Sequence, residues 1–200
     1  MKSILLTSAL ALAISAPAHA APIQWEASAG GNDHWYEIIY LGGGPITWNQ
    51  AKASAESKSH LGETGYLASI TSAAEQAFAN AVNLAFSAAS PYHNGYVQAW
   101  LGGNDIATEG AWEWTTGEDF SSYSNFAWFE PNNYFGEDHL VGWWSGDRWN
   151  DCDGTCGTYK YLIEYNGATP PAVPLPASLP LLGFAIAGIA GLSRKRKKAA

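Results

Sequence analysis

At Ser90-Pro91 the chain changes its period. Before that point apolar residues recur every three or four positions, and after it they do so nowhere. Trp48, Ala51 and Ala55 fall on one face of a stretch that Thr47 can cap and that ends before Gly62; this spacing predicts a first helix. Thr71 or Ser72 heads a second, with Ala74, Phe78, Ala81, Val82 and Ala85 turned toward a core and Glu75 placed as the acid of a capping box. Two stretches rich in aromatic and β-branched residues read as strands, HWYEIIY at 34–40 running into Gly42-Gly43-Gly44-Pro45, and YLASI at 66–70. Beyond Pro91 come short apolar pieces at 97–101, 112–114, 140–144, 148–149 and 159–165, separated by Gly, Asn and Asp. Two helices followed by many short strands describe an α+β fold with small antiparallel sheets. Residues 115–137 carry no regular pattern, and a loop of that length in a compact domain is usually functional.

The two ends have a different composition. Lys2, an apolar run at 4–14 and Ala18-His19-Ala20 have the form of a secretory signal peptide over residues 1–20. At the other end stand Val173-Pro174-Leu175-Pro176-Ala177, an apolar segment at 179–192, and the basic run 194–198. That segment has 14 residues where a stable span wants about 20, and the basic cluster should remain on the cytoplasmic side. The arrangement resembles the PEP-CTERM class of bacterial sorting signals in its VPLPA variant. The resemblance implies an exosortase-type processing enzyme as partner and transient contact with the inner membrane; a permanent single-span anchor is the other reading. Either way the expectation is an exported protein of a Gram-negative bacterium, at the cell surface or in the extracellular matrix. The expected organisation is a signal peptide (1–20), one domain (21–166), a Pro-rich linker with the sorting motif (167–177), and a hydrophobic segment with basic tail (178–200).

With the signals set aside, only Lys52, Lys58, Arg148 and Lys160 oppose all 18 Asp and Glu, a formal charge of −14 on the exported domain. Nucleic acid and acidic polymers are excluded as partners by that sign, whereas cations are favoured. Cys152 and Cys156, the two cysteines, lie in an exported domain and are expected to form a disulfide. Closing so short a loop is worth about 2 kcal/mol in the chain-entropy model.

The ten residues 130–139, EPNNYFGEDH, concentrate oxygen ligands within the long loop. Glu130, Asn132 and Glu137, together with Asn150 and Asp151 further on, offer the carboxylate and amide oxygens that calcium takes in sets of six to eight. His34, His60, His93 and His139 are scattered without zinc-ligand spacing, and nothing resembles a nucleophile elbow, a phosphate loop or a dinucleotide fingerprint. Glu130 and Glu137 could mimic a glycosidase pair in sequence, the weakest of three readings. On composition alone Asp147, Asp151 and Asp153 also fit turns. Trp112, Trp114, Trp143, Trp144 and Trp149 read as core or loop-packing residues, with stacking on a sugar face open to one that is exposed.

In their order these pieces resemble the C-type lectin domain over residues 35–165. Trp48 with Ala51 and Ala55 is similar to its first helix, Tyr66-Leu67-Ala68-Ser69-Ile70 with Glu75-Gln76 to the entry of its second, and Trp100-Leu101-Gly102-Gly103 to its core strand. Glu109-Gly110, Trp112-Glu113-Trp114, Glu130-Pro131-Asn132, Gly136-Glu137-Asp138, Trp149-Asn150-Asp151 and Glu164-Tyr165 follow in register. The resemblance implies the C-type lectin-like fold with long calcium-binding loops, a cis peptide before Pro131, and no catalysis. It implies that Glu130, Asn132, Glu137, Asn150 and Asp151 hold one calcium ion and the sugar together. An auxiliary calcium would take Asp105, Glu109, Asn133 and Asp138, with Glu137 contributing. The Glu-Pro-Asn order implies mannose- or glucose-type glycans. One departure stands out: His139 occupies a position where the family pattern has a cysteine, and the bridge from first helix to closing strand is missing. The function expected is an exported, calcium-dependent carbohydrate-binding module; the alternative is a calcium-stabilised structural or adhesion domain that binds protein.

Overall fold

A computed structural model describes residues 21–89, 95 and 97–167 of the chain. The expected signal peptide at 1–20, and the linker and tail from 168 onward, lie outside the described residues. Among the described residues no helix is long and apolar enough to cross a membrane. In chain order the elements are β1 (Ile23–Gln24), β2 (Trp35–Tyr40), α1 (Trp48–Glu56), β3 (Ser59–His60), β4 (Glu63–Leu67), α2 (Ala73–Ala88), β5 (Ala99–Asn104), β6 (Glu113–Trp114), β7 (His139–Ser145), β8 (Arg148–Cys152) and β9 (Lys160–Tyr165).

The strands form one connected sheet rather than the several small ones expected, in the order β1-β2-β9-β5-β7-β8, with β4 also on β9 and β6 also on β5. All pairs are antiparallel except β5 with β9. Consecutive residues in the central strands enter opposite layers, as a period of two requires. Ile38, Leu101, Leu140 and Leu162 belong to one apolar cluster, and their neighbours Ile39, Trp100, Val141 and Ile163 to the other. Trp48, Ala51 and Ala55 place α1 on the second face; Ala79 and Val82 place α2 on the first, beside Trp114 and Trp149. The sheet is therefore covered on both sides, which explains strands such as β9 that are buried at every position. Close layers need small residues: a Cβ on Gly102 would lie 2.5 Å from the carbonyl oxygen of Leu67.

Helix α1 starts as expected. Thr47 Oγ1 accepts from the Gln50 amide at 3.2 Å, and Gln50 Oε1 accepts from the Thr47 amide at 2.9 Å, a complete capping box. Its end is not set by Gly62. The helix stops at Glu56, and Leu61-Gly62 joins the paired residues His60 and Glu63 with φ of 51° and 92°, the geometry of a two-residue type I′ hairpin. The expected strand 66–70 also stops early, at Leu67. Beyond it the amides of Ser69 and Thr71 donate to carboxylates, Glu164 Oε2 at 3.0 Å and Glu75 Oε2 at 2.7 Å, instead of to a neighbouring strand.

The expected inner face of α2 requires correction. Ala74, Ala81 and Ala85 are exposed, Phe78 is half-buried, and only Val82 of that set is buried. The buried face carries Glu75, Gln76, Ala79, Val82, Asn83 and Ser87. Most of these polar groups tolerate burial because they find partners, Ser87 Oγ being the exception. Asn83 bonds Val97 in both directions, at 2.7 and 2.9 Å, and Gln76 Oε1 accepts from the indole of Trp149 at 2.8 Å. Glu75 is not a reciprocal capping-box acid. Its amide reaches Ser72 Oγ, but its carboxylate serves Thr71 and the Tyr36 hydroxyl, the latter at 2.5 Å.

Beside Glu75 lies Glu164, fully buried, which accepts from Tyr36, from the Ser69 amide, and shares a 2.6 Å contact with His34 Nδ1. Burial pushes the Glu164 carboxyl up from 4.5 to about 7, and Glu37 likewise to about 7. The bond to Glu164 raises the His34 imidazole. A carboxyl raised in the folded state holds a proton there that the unfolded chain has released. Stability accordingly falls as pH rises from about 4.5 to 7, and the raised imidazole adds a loss in the same direction above 6.5. The melting temperature should therefore decline between pH 5 and pH 8. Glu164→Gln, which removes one buried titration while keeping the shape, should flatten that decline without abolishing it, since Glu37 remains; an unchanged slope would mean that Glu164 ionises freely in the folded state.

Candidate functional site

The long loop is held by one indole. Trp149 of β8 is completely buried, and around it stand Trp114 at 5.8 Å between ring centroids, Tyr123 at 5.6 Å, Phe126 at 5.9 Å and Phe120 at 6.2 Å. Three of these four come from the stretch 115–137, whose only helical turn is Phe120–Ser122. The backbone of Trp149 fastens the same stretch, donating to Asn125 at 2.9 Å and accepting from Ala127 at 2.8 Å. Edge-to-face aromatic pairs contribute about 0.5–1.5 kcal/mol each beyond the area they bury. The segment 127–137 thus leaves an anchored base, and Asn150 and Asp151 follow the anchor directly in sequence.

The five primary candidates divide between that segment and β8. Asn150 and Asp151 are buried, and Asp151 has no exposed surface. Glu130 and Glu137 are half-buried and Asn132 exposed. The Glu130–Pro131 peptide is cis. Asn132 donates its amide to Glu130 Oε2, and its own Oδ1 accepts from the Tyr134 amide at 2.9 Å. Tyr134 N also reaches Glu137 Oε2 at 3.0 Å, and Asn133 N donates to Asp151 Oδ2 at 2.7 Å, which links loop to strand. Asn150 turns its amide nitrogen to the Asp151 carbonyl. Of the auxiliary candidates, Asp105 is buried at the end of β5, and its amide donates to the Asp138 carbonyl at 3.1 Å. Asp105 Oδ2 accepts from Gly110 at 2.8 Å, and Asn133 Oδ1 accepts from Glu137 N at 2.7 Å, so the latter oxygen already serves the turn. Glu109 is exposed.

The carboxylates disturb one another. Glu130 is raised by burial, then by the charge of Asp151 and a hydrogen bond to it, and by Glu137. Glu137 is raised by burial and by Asp151 and Asp153, against the Tyr134 amide, which lowers it. Asp105 is raised by burial and by Asp138 and Asp151; Glu109 is raised by lost solvation, then by Asp105, Asp138 and Asp151. One acidic field spans both sets. Among the described residues no three His, Cys, Asp or Glu side chains stand grouped as a ready metal cluster. The donors are instead carboxylates interleaved with amides. Buried oxygens without a hydrogen-bond partner include Asp105 Oδ1, Asn150 Oδ1 and Asp151 Oδ1. Leaving such acceptors unsatisfied costs about 1–3 kcal/mol each. Three orphaned oxygens in a negative field fit a hard divalent cation such as calcium.

His139, where the family pattern has a cysteine, packs its ring 4.8 Å from Trp48 and sits opposite Cys152 in the β7–β8 register. Burial lowers its pKa. An imidazole thus fills the space between strand and helix, and Cys152 is bonded to Cys156 instead. Cys152 is the last residue of β8 rather than part of the following loop. Of the five tryptophans read as packing residues, Trp114, Trp143 and Trp149 are buried and Trp112 half-buried, but Trp144 is exposed. Four exposed aromatics went unmarked in the sequence: Trp128 (85 %), Phe129 (85 %), Tyr134 (67 %) and Phe135 (90 %). Their signal was position, two aromatic pairs within three residues of Glu130 or Asn132.

Residues 45–163 match the family model of the Lectin C-type domain. The chain is 30 % identical over 156 residues to halomucin of Haloquadratum walsbyi, covering 70 % of this chain and 2 % of that protein. It is 33 % identical over 93 residues to ladderlectin of Oncorhynchus mykiss, covering 46 % of this chain and 44 % of that one. The chain thus spans less than half the length of these relatives. Among solved structures, the C-type lectin CEL-I from Cucumaria echinata is similar with a TM-score of 0.55 and 28 % identity, covering 67 % of this chain and 91 % of CEL-I.

If these oxygens take calcium, the ion should stabilise the fold. At a free concentration about a hundred times its dissociation constant the melting midpoint should rise by roughly 5–10 °C. Scanning calorimetry across micromolar to millimolar calcium measures this, and an unchanged midpoint with no heat of binding would remove the cation from the site.

Proposed function

The chain belongs to the C-type lectin domain family, and from that premise we propose that it is an exported, calcium-dependent carbohydrate-binding module with no catalysis of its own. The observation that carries the reading is the set of orphaned oxygens on Asp151 and Asn150, with Asp151 tied through its other oxygen to the loop that bears Glu130, Asn132 and Glu137. Calcium, when bound, supplies a charge to which two neighbouring hydroxyls of a sugar can each give a lone pair in place of water. The protein's side chains would do the reading. Glu130 and Glu137 accept the hydroxyl protons, while Asn132 and Asn150 donate to the remaining lone pairs. Glu130, Asn132, Glu137, Asn150 and Asp151 form the primary set, and Asp105, Glu109, Asn133 and Asp138 an auxiliary one. The Glu-Pro-Asn order supports mannose- or glucose-type sugars with equatorial 3- and 4-hydroxyls. A shallow single site binds weakly, so several copies displayed on one surface would supply the avidity.

A glycan array read with calcium and again with chelator tests the proposal. Signals for mannose-type glycans that vanish with chelator are expected; a silent array with a calcium-stabilised fold would favour the protein-binding adhesion domain. Glu130→Ala deletes a ligand and should weaken both calcium and glycan by about tenfold or more. Combining Glu130→Gln with Asn132→Asp conserves the charge while exchanging acceptor and donor. It should lose mannose-type binding, and calcium affinity should change much less.

The export part of the proposal rests on the two terminal signals. In a cell with an exosortase the mature chain should end near 174–177, and intact mass decides this; a chain still ending at Ala200 would favour a permanent anchor.

A further inference from the structure

We propose that the loop around Glu130–Pro131 is built to hold a glycan chain rather than a single sugar, with Trp128 and Phe129 stacking on a ring to one side of the primary site and Tyr134 and Phe135 on a ring to the other. The inference rests on the carbohydrate reading of that site and adds flanking subsites to it. Each aromatic pair occupies the corner of a β-turn. Glu130 N donates to Ala127 O at 3.1 Å, closing a turn with Trp128 and Phe129 at its centre; Gly136 N donates to Asn133 O at 3.3 Å, closing one with Tyr134 and Phe135 at its centre. In both turns the third residue has a left-handed backbone, φ 72° at Phe129 and 62° at Phe135. That position of a type II turn belongs to glycine, and a phenylalanine there is strained. The loop thus twice places a large ring where the backbone would prefer none.

The rings are not absorbed by the fold. Phe120, Tyr123 and Phe126 of the same loop pack on Trp149, whereas these four remain 67–90 % exposed, and among the described residues each pair is in edge contact only with itself, at 5.9 and 4.4 Å. Their backbone is tied to the primary residues, since Tyr134 N bonds both Asn132 and Glu137. Phe129 adjoins Glu130, and Tyr134 is two residues from Asn132, so no Cα is more than about 7 Å from its neighbouring candidate ligand. Neighbouring rings of a glycan chain step along by a comparable distance. The chemistry also selects a sugar over a lipid surface. The rings stand among Glu130, Glu137 and Asp138 on a domain whose charge repels anionic headgroups. A pyranose offers what such a surface matches, an apolar C–H face for the rings and a hydroxyl rim for the carboxylates and amides.

Titration calorimetry with D-mannose and linear manno-oligosaccharides of two to six units, alongside glucose and cello-oligosaccharides, tests the proposal in calcium. Affinity should rise with chain length by about tenfold or more overall, with a shift in tryptophan emission that Trp128→Phe removes. With all four aromatics changed to alanine, calcium affinity should persist and the ratio of hexamer to monomer affinity should fall to near one. Phe129→Gly with Phe135→Gly should lower the same ratio while raising the melting temperature, because it relieves both turns; a lowered melting temperature would make the rings structural and overturn the proposal. Equal affinity at every chain length, or a ratio that survives the alanine changes, would overturn it too. So would a dimer in sedimentation that the alanine changes dissociate, since the rings would then cover a second copy. Length-dependent binding that resists chelator but needs the aromatics would sink the calcium reading and leave these subsites standing. No binding of any sugar to calcium-loaded protein would sink both.

Discussion

The packing of Trp149 is the constraint on which the rest of the site depends. Its indole satisfies its one donor on Gln76 of α2 while its faces and edges take Trp114, Phe120, Tyr123 and Phe126. A stretch without regular hydrogen bonding would otherwise have no defined position, because fixing each residue costs about 1–2 kcal/mol of backbone entropy. The aromatic cluster supplies that ordering from one side, and the two backbone bonds of Trp149 supply register. The residue that organises the loop and the residues that complete its polar pocket are thus consecutive on one strand. Any movement of β8 would disturb anchor and pocket together.

Buried acids in this domain fall into two kinds, and the difference separates support from candidate function. Glu75 and Glu164 are surrounded by donors: hydroxyls of Tyr36 and Thr71, amides of Ser69 and Thr71, and the imidazole of His34. They join α2 to the terminal strands and leave no oxygen idle. Asp105 and Asp151 are buried as deeply, yet each keeps one oxygen without a partner. The four carboxylate oxygens of Glu75 and Glu164 all have partners. The idle oxygens of Asp105 and Asp151 are the ones for which the proposed cation would supply a partner.

Much of this is legible in the sequence, and the features that are not share a cause. Trp48, Ala51 and Ala55 marked the inner face of α1 because a tryptophan at helical spacing is unambiguous. The inner face of α2 was misplaced because Ala74, Ala81 and Ala85 are apolar but small, and alanine discriminates poorly between core and solvent. The residues that decide its orientation, Gln76 and Asn83, are polar and buried only because Trp149 and Val97 await them across the fold. Helix α1 does end before Gly62, but the Leu61-Gly62 hairpin that follows joins strands too short to leave an alternating pattern. Polar motifs of the site stood plainly in the sequence, but not which oxygens lack partners. Nor could the sequence distinguish Phe126, which packs inward, from Phe129, three residues on and almost bare.

The pairing of β2 with β9 carries an architectural consequence. Ile23 of β1 lies opposite Tyr36 of β2, and Tyr36 opposite Glu164 of β9, so the chain enters and leaves the domain two strands apart in one sheet, about 10 Å. Everything between, both helices and the whole polar loop, is an excursion that returns to its starting point. A segment of that kind can be spliced into the surface loop of another protein or strung in series without either flank having to cross the fold. Doorway and exit share one threshold, and the unit is portable.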